Sequence, residues 1–241
     1  MTVLLVLAKA PVPGRVKTRL CPPVRPAEAA EVAAAALLDT LDAARAAPDV
    51  VPVLALAGRL AGAVRGAELR AALAGWRVLP QRGAGLAERL AHAHADAAAA
   101  FPGRPVLQIG MDTPQVGPAE LAAASARLAT VDAVLGPAAD GGWWALGLRD
   151  PGAAVALRDV PTSTPETGRL TRAALRARGL RVAALPVRTD VDDWGAALAV
   201  AGEVPDGRFG RAVRRIAAGL APYAQIRATA AGPSLAASDV P

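Results

Sequence analysis

Cysteine, lysine and aromatic residues are all scarce in this chain, and each shortage removes a class of function. Cys21 is the only cysteine, which rules out an intrachain disulfide and any cysteine-based zinc cluster. A reactive thiol stays open for it, but its place beside Pro22 and Pro23 fits an incidental residue better. Aromatic residues make up 3% of the chain, too few for a base-stacking surface, and the arginines behind the net charge of +6 are spread along the whole length among acidic residues. That diffuse pattern argues against a nucleic-acid partner and fits a small anionic substrate. No apolar run approaches the roughly eighteen residues of a membrane span, so no membrane partner is expected. The chain enters a strand directly after Met1 and Thr2, without a basic segment, a long apolar segment or a small-residue cleavage site, so a cytoplasmic location is expected. Histidine is nearly absent too. His92 and His94 stand two apart on a predicted helix, where they do not share a face as paired metal ligands would, whereas His92 and Asp96 are spaced to pair as helix neighbours.

Lysine is the most informative shortage. Of 27 basic residues only Lys9 and Lys17 are lysine, and both lie in one stretch. The apolar run Val3–Ala8 reads as a buried parallel strand, and it gives way to Lys9, Pro11, Pro13, Gly14, Arg15, Lys17 and Arg19. The prolines and Gly14 end the strand and stiffen a loop that carries four cations at the strand's carboxyl end, the edge where open α/β sheets bind ligands. A compact ammonium suits a phosphate cluster as a point charge.

Beyond that loop the pattern repeats as strand, loop and helix. Helices are expected at 26–47, 59–74, 86–100, 118–128, from about 165 to Arg178, at 193–200 and at 208–220, and strands at 51–57, 76–80, 106–110, 131–137, after Asp140 and at 182–187, the last a core strand. With 241 residues, about half of them apolar, this predicts one main domain built on a mainly parallel sheet with right-handed crossovers. Asp140, Gly141 and Gly142 give a strong turn signal before a hairpin-like return, in which Trp143 and Trp144 point to opposite faces. The two glycines also allow backbone amides close to a ligand.

Asp112 follows the buried strand 106–110 at the same sheet edge as the lysine loop. A carboxylate facing bound phosphates needs a cation between them, and Mg²⁺ suits such a pairing; the alternative is an Asx turn or a cap before the helix at Pro118. Ser163 and Glu166 fit a capping box, and the same helix start, with Thr162, Ser163 and Thr167, is able to take an anionic second substrate. Asp190, Asp192 and Asp193 either cap the helix that follows or help hold the metal. The segment Pro222–Pro241, rich in Ala, Ser, Pro and Gly, reads as a loosely docked tail.

Together these motifs carry a resemblance. The run 8–20 closely resembles the N-terminal signature of a bacterial family of GT-A-type proteins of unassigned function, labelled glycosyltransferases or selenodomain-associated transferases, and 110–114, 136–144 and 190–192 resemble its later motifs in the same order. That family is similar to nucleotidyltransferases of the molybdenum-cofactor and F420 pathways. The resemblance covers about residues 2–205. It implies a Rossmann-like three-layer α/β/α sandwich of GT-A type over residues 1–205, and the residues beyond it read as a C-terminal helix at 206–220 packed on it and a flexible tail at 221–241. It implies that Lys17, with Lys9, Arg15 and Arg19, holds a triphosphate, that Asp112 holds Mg²⁺ or Mn²⁺, and that Asp190 and Asp192 supply further ligands. Lys17 and Asp112 are thus the catalytic candidates, and Gly14, Gly85, Asp140, Gly141, Gly142, Thr162 and Ser163 join the cations as substrate-binding candidates. The expected reaction is nucleotidyl transfer from a nucleoside triphosphate to a small phosphorylated or hydroxyl acceptor. Glycosyl transfer from a nucleotide sugar is the alternative, and an inactive nucleotide-binding regulator is a third reading. A monomer or homodimer is expected.

Overall fold

A computed structural model describes residues 1–230. Among these residues seven strands form one sheet in the order β3-β2-β1-β4-β6-β5-β7. They are β1 (Thr2–Lys9), β2 (Val50–Ala57), β3 (Arg77–Pro80), β4 (Val106–Gly110), β5 (Ala133–Pro137), β6 (Trp143–Leu148) and β7 (Val182–Ala184). All neighbours pair in parallel except β6, which runs antiparallel to both β4 and β5. The expected mainly parallel α/β sandwich is the observed fold, and the hairpin return after Asp140 is β5 to β6.

The alternation of side chains along β1 builds the layers. Leu4, Val6 and Ala8 pack under α1 (Pro26–Ala46), and Val3 and Leu5 pack on the other face under α3 (Leu86–Ala100). Helix α1 buries apolar residues on two faces because it is covered twice. Ala30, Ala33 and Leu37 meet the sheet, while Ala29, Val32 and Ala36 meet α6 (Trp194–Glu203) and α7 (Arg208–Ala230) through Val200, Phe209 and Val213. Asp39 fixes α7 there, accepting from the backbone N–H of Arg208 and Phe209 at 3.1 and 2.8 Å. The remaining helices are α2 (Gly66–Ala72), α4 (Pro118–Arg127) and α5 (Thr167–Ala177), with a 3₁₀ segment over Pro151–Asp159 that was not anticipated.

Several local expectations need correction. The helix expected over 59–74 is confined to α2, because Gly62 adopts φ 78° and Val64 donates its N–H to Pro11 O, which commits 59–65 to turns. β7 is a three-residue edge strand rather than a core strand, with Val187 exposed beyond it. No Ser163–Glu166 capping box forms. Ser163 sits at φ 61°, and the Thr167 hydroxyl instead donates to Pro161 O and accepts from the Thr164 N–H. His92 does not pair with Asp96; its ring bonds Arg82 O and Arg158, and Asp96 is taken by the Arg82 guanidinium. Helix α7 continues through 221–230 into the stretch expected as tail, and 231–241 lie outside the described residues. Among the described residues no helix is long and apolar enough to cross a membrane.

His94 is fully buried on α3 and neither ring nitrogen has a partner among the described residues. Burial pushes its pKa from 6.5 down to about 3, so it is neutral in the fold, whereas the unfolded chain takes up the proton below about pH 6.5. Stability is therefore unaffected by this group above that pH and falls as the pH drops from there, by about 2 kcal/mol at pH 5. Urea unfolding at pH 7 and pH 5 is expected to show this acid loss in the wild type and a smaller one in His94→Leu. Identical pH dependence in the two proteins would remove the assignment.

Candidate active site

A cleft of about 660 Å³ opens at the carboxyl ends of β1 and β4. Two apolar anchors set the basic loop at its edge. Val16 is buried in the core cluster under α1, and Leu20 is buried in the cluster shared by α1, α6 and α7. Lys17 lies between these anchors in the left-handed region, at φ 45°, and a short 3₁₀ turn over Thr18–Leu20 follows it. That conformation is uncommon for a side-chain-bearing residue and persists only where the surroundings impose it.

Asp112 lies two residues beyond β4, and Gly117 rather than Asp112 precedes helix α4 as its N-cap. The segment 186–192 is stitched beside it by a series of bonds. Pro186 O accepts from the Trp144 indole at 2.9 Å, Arg188 N–H donates to Pro137 O at 3.1 Å, Thr189 O accepts from Gln115 at 2.6 Å, and Val191 N–H donates to Asp112 O at 2.9 Å. Arg188 is further held by Glu120 at 2.9 Å. Asp193 caps α6, accepting from Ala196 N–H, so the three aspartates of 190–193 divide: Asp193 serves the helix, while Asp190 and Asp192 face Asp112.

Asp112, Asp190 and Asp192 each offer a carboxylate oxygen within 4.8 Å of the others. The Lys17 ammonium bridges two of them, 3.0 Å from Asp112 Oδ2 and 3.0 Å from Asp192 Oδ1, and Arg19 takes the other oxygen of Asp192 at 3.0 Å. Burial alone would lower the Lys17 pKa, but the charges of Asp112 and Asp192 and their hydrogen bonds outweigh it, so the ammonium is held above its ordinary value. Asp190 is left without such relief. Burial, followed by the charges of Asp112, Asp140 and Asp192, pushes its carboxyl up to about 6. With three carboxylates facing two cations, Lys17 and Arg19, the cluster carries more negative charge than those cations offset. An all-carboxylate donor set with charge to spare fits a hard divalent cation such as Mg²⁺ or Mn²⁺.

Lys9, Arg15, Lys17, Arg19, Asp112, Asp140, Gly142, Thr162, Ser163, Asp190 and Asp192 all line the cleft. Gly14, Gly85 and Gly141 do not; Gly14 turns the loop at φ 72°, Gly85 precedes α3 as its N-cap, and Gly141 packs behind the wall. Of the two tryptophans, Trp144 is core and Trp143 lines the cleft. Gln81, Arg89 and Gln108 also line it and were not singled out from the sequence. Gln81 donates both amide hydrogens, to Ala8 O and Ala55 O at 2.8 Å each, which leaves only its Oε1 for a ligand. Gln108 Oε1 is buried and has no partner among the described residues. A polar side chain in the midst of a buried strand, Val106-Leu107-Gln108-Ile109, was the available signal.

A family model described as "Uncharacterized protein conserved in bacteria (DUF2064)" matches residues 40–164. The chain belongs to this family. The matched part of this DUF2064 member includes Asp112, Asp140, Thr162 and Ser163, and the basic loop lies before it. A candidate nucleotide-diphospho-sugar transferase from Desulfovibrio desulfuricans G20 superposes with TM-score 0.78 at 24% identity, over 92% of this chain and 99% of that one. Rv0371c of Mycobacterium tuberculosis H37Rv, solved in complex with manganese, gives 0.51 at 23% identity over 83% and 98%. The 4-diphosphocytidyl-2C-methyl-D-erythritol synthase of Anaerococcus prevotii DSM 20548 gives 0.50 at 10% over 81% and 94%. These likenesses place the DUF2064 chain in the fold of nucleotide-diphospho-sugar transferases. No curated protein matches it significantly.

The far wall depends on a close backbone approach. Gly141 has φ 90°, and a Cβ there would lie 2.0 Å from Pro165 O, while Gly168 N–H donates to Gly141 O at 2.8 Å. Gly141→Ala is therefore expected to lower the unfolding free energy by about 2 kcal/mol or more. Gly75→Ala, at φ 80° in open space, should cost only about 1 kcal/mol. Equal losses in chemical denaturation would contradict the packing argument.

Proposed function

We propose that this protein is a divalent-metal-dependent transferase that joins a nucleotide to a small acceptor. A phosphate oxygen of the acceptor, or a hydroxyl oxygen that gives up its proton to solvent, attacks the α-phosphorus of a nucleoside triphosphate, the bond from that phosphorus to the oxygen bridging it to the β-phosphorus breaks, and pyrophosphate leaves. The observation that carries this reading is the apposition, across one cleft at the sheet's ligand-binding edge, of four loop cations and three clustered carboxylates. Phosphoryl chemistry of this kind needs positioning and charge stabilisation more than a dedicated nucleophile.

Lys17, with Lys9, Arg15 and Arg19, binds the triphosphate and fixes the α-phosphorus toward the acceptor. Asp140, Gly142, Thr162 and Ser163 on the opposite wall hold the acceptor, while Gly14, Gly85 and Gly141 shape the loops. Asp112, Asp190 and Asp192 would hold a divalent cation, Mg²⁺ first and Mn²⁺ as the alternative, which supplies charge neutralisation and Lewis acidity at phosphate oxygens when bound. The manganese in the Rv0371c complex supports a divalent ion in a protein of this fold. The protein is read as a cytoplasmic monomer or homodimer.

Glycosyl transfer from a nucleotide sugar is the second reading, favoured by the Desulfovibrio relative, which is described as a candidate nucleotide-diphospho-sugar transferase. Four loop cations exceed what a diphosphate needs, and this places nucleotidyl transfer first.

Calorimetric titration with each nucleoside triphosphate and with common nucleotide sugars, with and without Mg²⁺, separates the two. Mg²⁺-dependent binding of one triphosphate is expected, weakened at least about thirtyfold, or about 2 kcal/mol, in Lys17→Ala and unchanged in His92→Ala. Asp112→Asn should lose the Mg²⁺ dependence with its melting transition retained. Tighter binding of a nucleotide sugar, or equal effects of the two loop and helix variants, would overturn the assignment.

A further inference from the structure

Lys17 makes its closest contacts to the acidic cluster rather than to open cleft. Its ammonium lies 3.0 Å from both Asp112 Oδ2 and Asp192 Oδ1, and its side chain is only 13% exposed. A divalent cation shared by those carboxylates and an ammonium bridging them would bring like charges together in a partly buried site, so each opposes the other. Arg19 adds to the hold from the outer oxygen of Asp192. Lys9 and Arg15, by contrast, make no ion pair among the described residues while lining the same cleft, which leaves them free for a first contact with an incoming anion.

We propose that Lys17 is the resident cation of the Asp112–Asp192 pair, and that the site takes a divalent cation and a polyphosphate as a pair, because the polyphosphate must draw Lys17 away before the metal can occupy the carboxylates. The inference rests on the metal-and-triphosphate reading of the cleft. It also gives a reason for lysine at position 17 of a chain that otherwise uses arginine almost throughout. A single ammonium on a flexible four-carbon stem exchanges readily between a carboxylate pair and a phosphate, whereas a guanidinium fork tends to lock bidentately on one partner. By linkage, the metal must strengthen polyphosphate binding by the same factor as polyphosphate strengthens metal binding.

The test uses the full chain, Mn²⁺ followed by electron paramagnetic resonance, and inorganic triphosphate. Wild type is expected to bind Mn²⁺ alone weakly and to bind triphosphate at least about tenfold more tightly with Mn²⁺ present. Lys17→Met should bind Mn²⁺ alone at least about tenfold more tightly than wild type and lose most of that coupling. Arg19→Met removes the same charge without vacating the bridge, and its gain should be under about threefold. Equal Mn²⁺ affinity in wild type and Lys17→Met, or equal gains in Lys17→Met and Arg19→Met, would overturn the proposal while leaving the transferase reading intact. The coupling measured on wild type alone decides the matter should the lysine variant not fold, and its absence would also overturn the proposal. Failure of every protein to take up Mn²⁺, with or without triphosphate, would defeat the transferase reading and this inference together.

Discussion

Two ion pairs made by one ammonium tie the candidate site together. Lys17 joins a loop at residues 9–20 to carboxylates at positions 112 and 192, so three chain segments far apart in sequence converge on one charge. Such a partly buried arrangement is costly unless the ammonium and carboxylates remain well paired, because each ion gives up water on entering the cleft. The cluster is nonetheless left with three carboxylates against the two cations, Lys17 and Arg19, that pair with it. A protein built only for stability gains nothing from that surplus, whereas a site that must accept a divalent cation needs it.

The rest of the fold serves to hold that junction. β1 and β4 pair in parallel, with Leu7 opposite Gly110, and so bring the basic loop and Asp112 to the same sheet edge. The antiparallel strand β6 separates β4 from β5 and puts Trp144 where its indole holds Pro186, the start of the stretch that delivers Asp190 and Asp192. Val16 and Leu20 reach into two different apolar clusters on either side of Lys17, which fixes the loop more firmly than its prolines alone would. Helix α1 lies between those clusters, and its many alanines allow close packing on both faces.

Much of this was legible in the sequence where the signal was local. A short branched apolar run followed by prolines, Gly14 and the chain's only two lysines gave β1 and its loop, and Asp140-Gly141-Gly142 gave the return into β6. Asp112 could be placed at the right edge because it follows a buried strand. Whether Asp190 and Asp192 serve a helix cap or a charge cluster depended on the tertiary stitching of 186–192, which no spacing reveals, and Asp193 proved to be the cap. Gln81 is illegible for the same reason, since its amide gains meaning only from the carbonyls it meets, whereas Gln108 stands out as a polar residue within a buried apolar strand. The over-long helix at 59–74 shows the converse, since its alanine-rich composition favours helix while Gly62 and the Val64–Pro11 bond commit its first part to turns.

The central claim is that the basic loop and the acidic cluster form one site for a metal-bound polyphosphate. Anomalous diffraction from crystals grown with Mn²⁺ and a nonhydrolysable nucleoside triphosphate tests it most directly. A manganese peak is expected among Asp112, Asp190 and Asp192, with the Lys17 ammonium moved from those carboxylates onto a phosphate. A bound triphosphate with no manganese peak there, and with Lys17 still bridging Asp112 and Asp192, would contradict it.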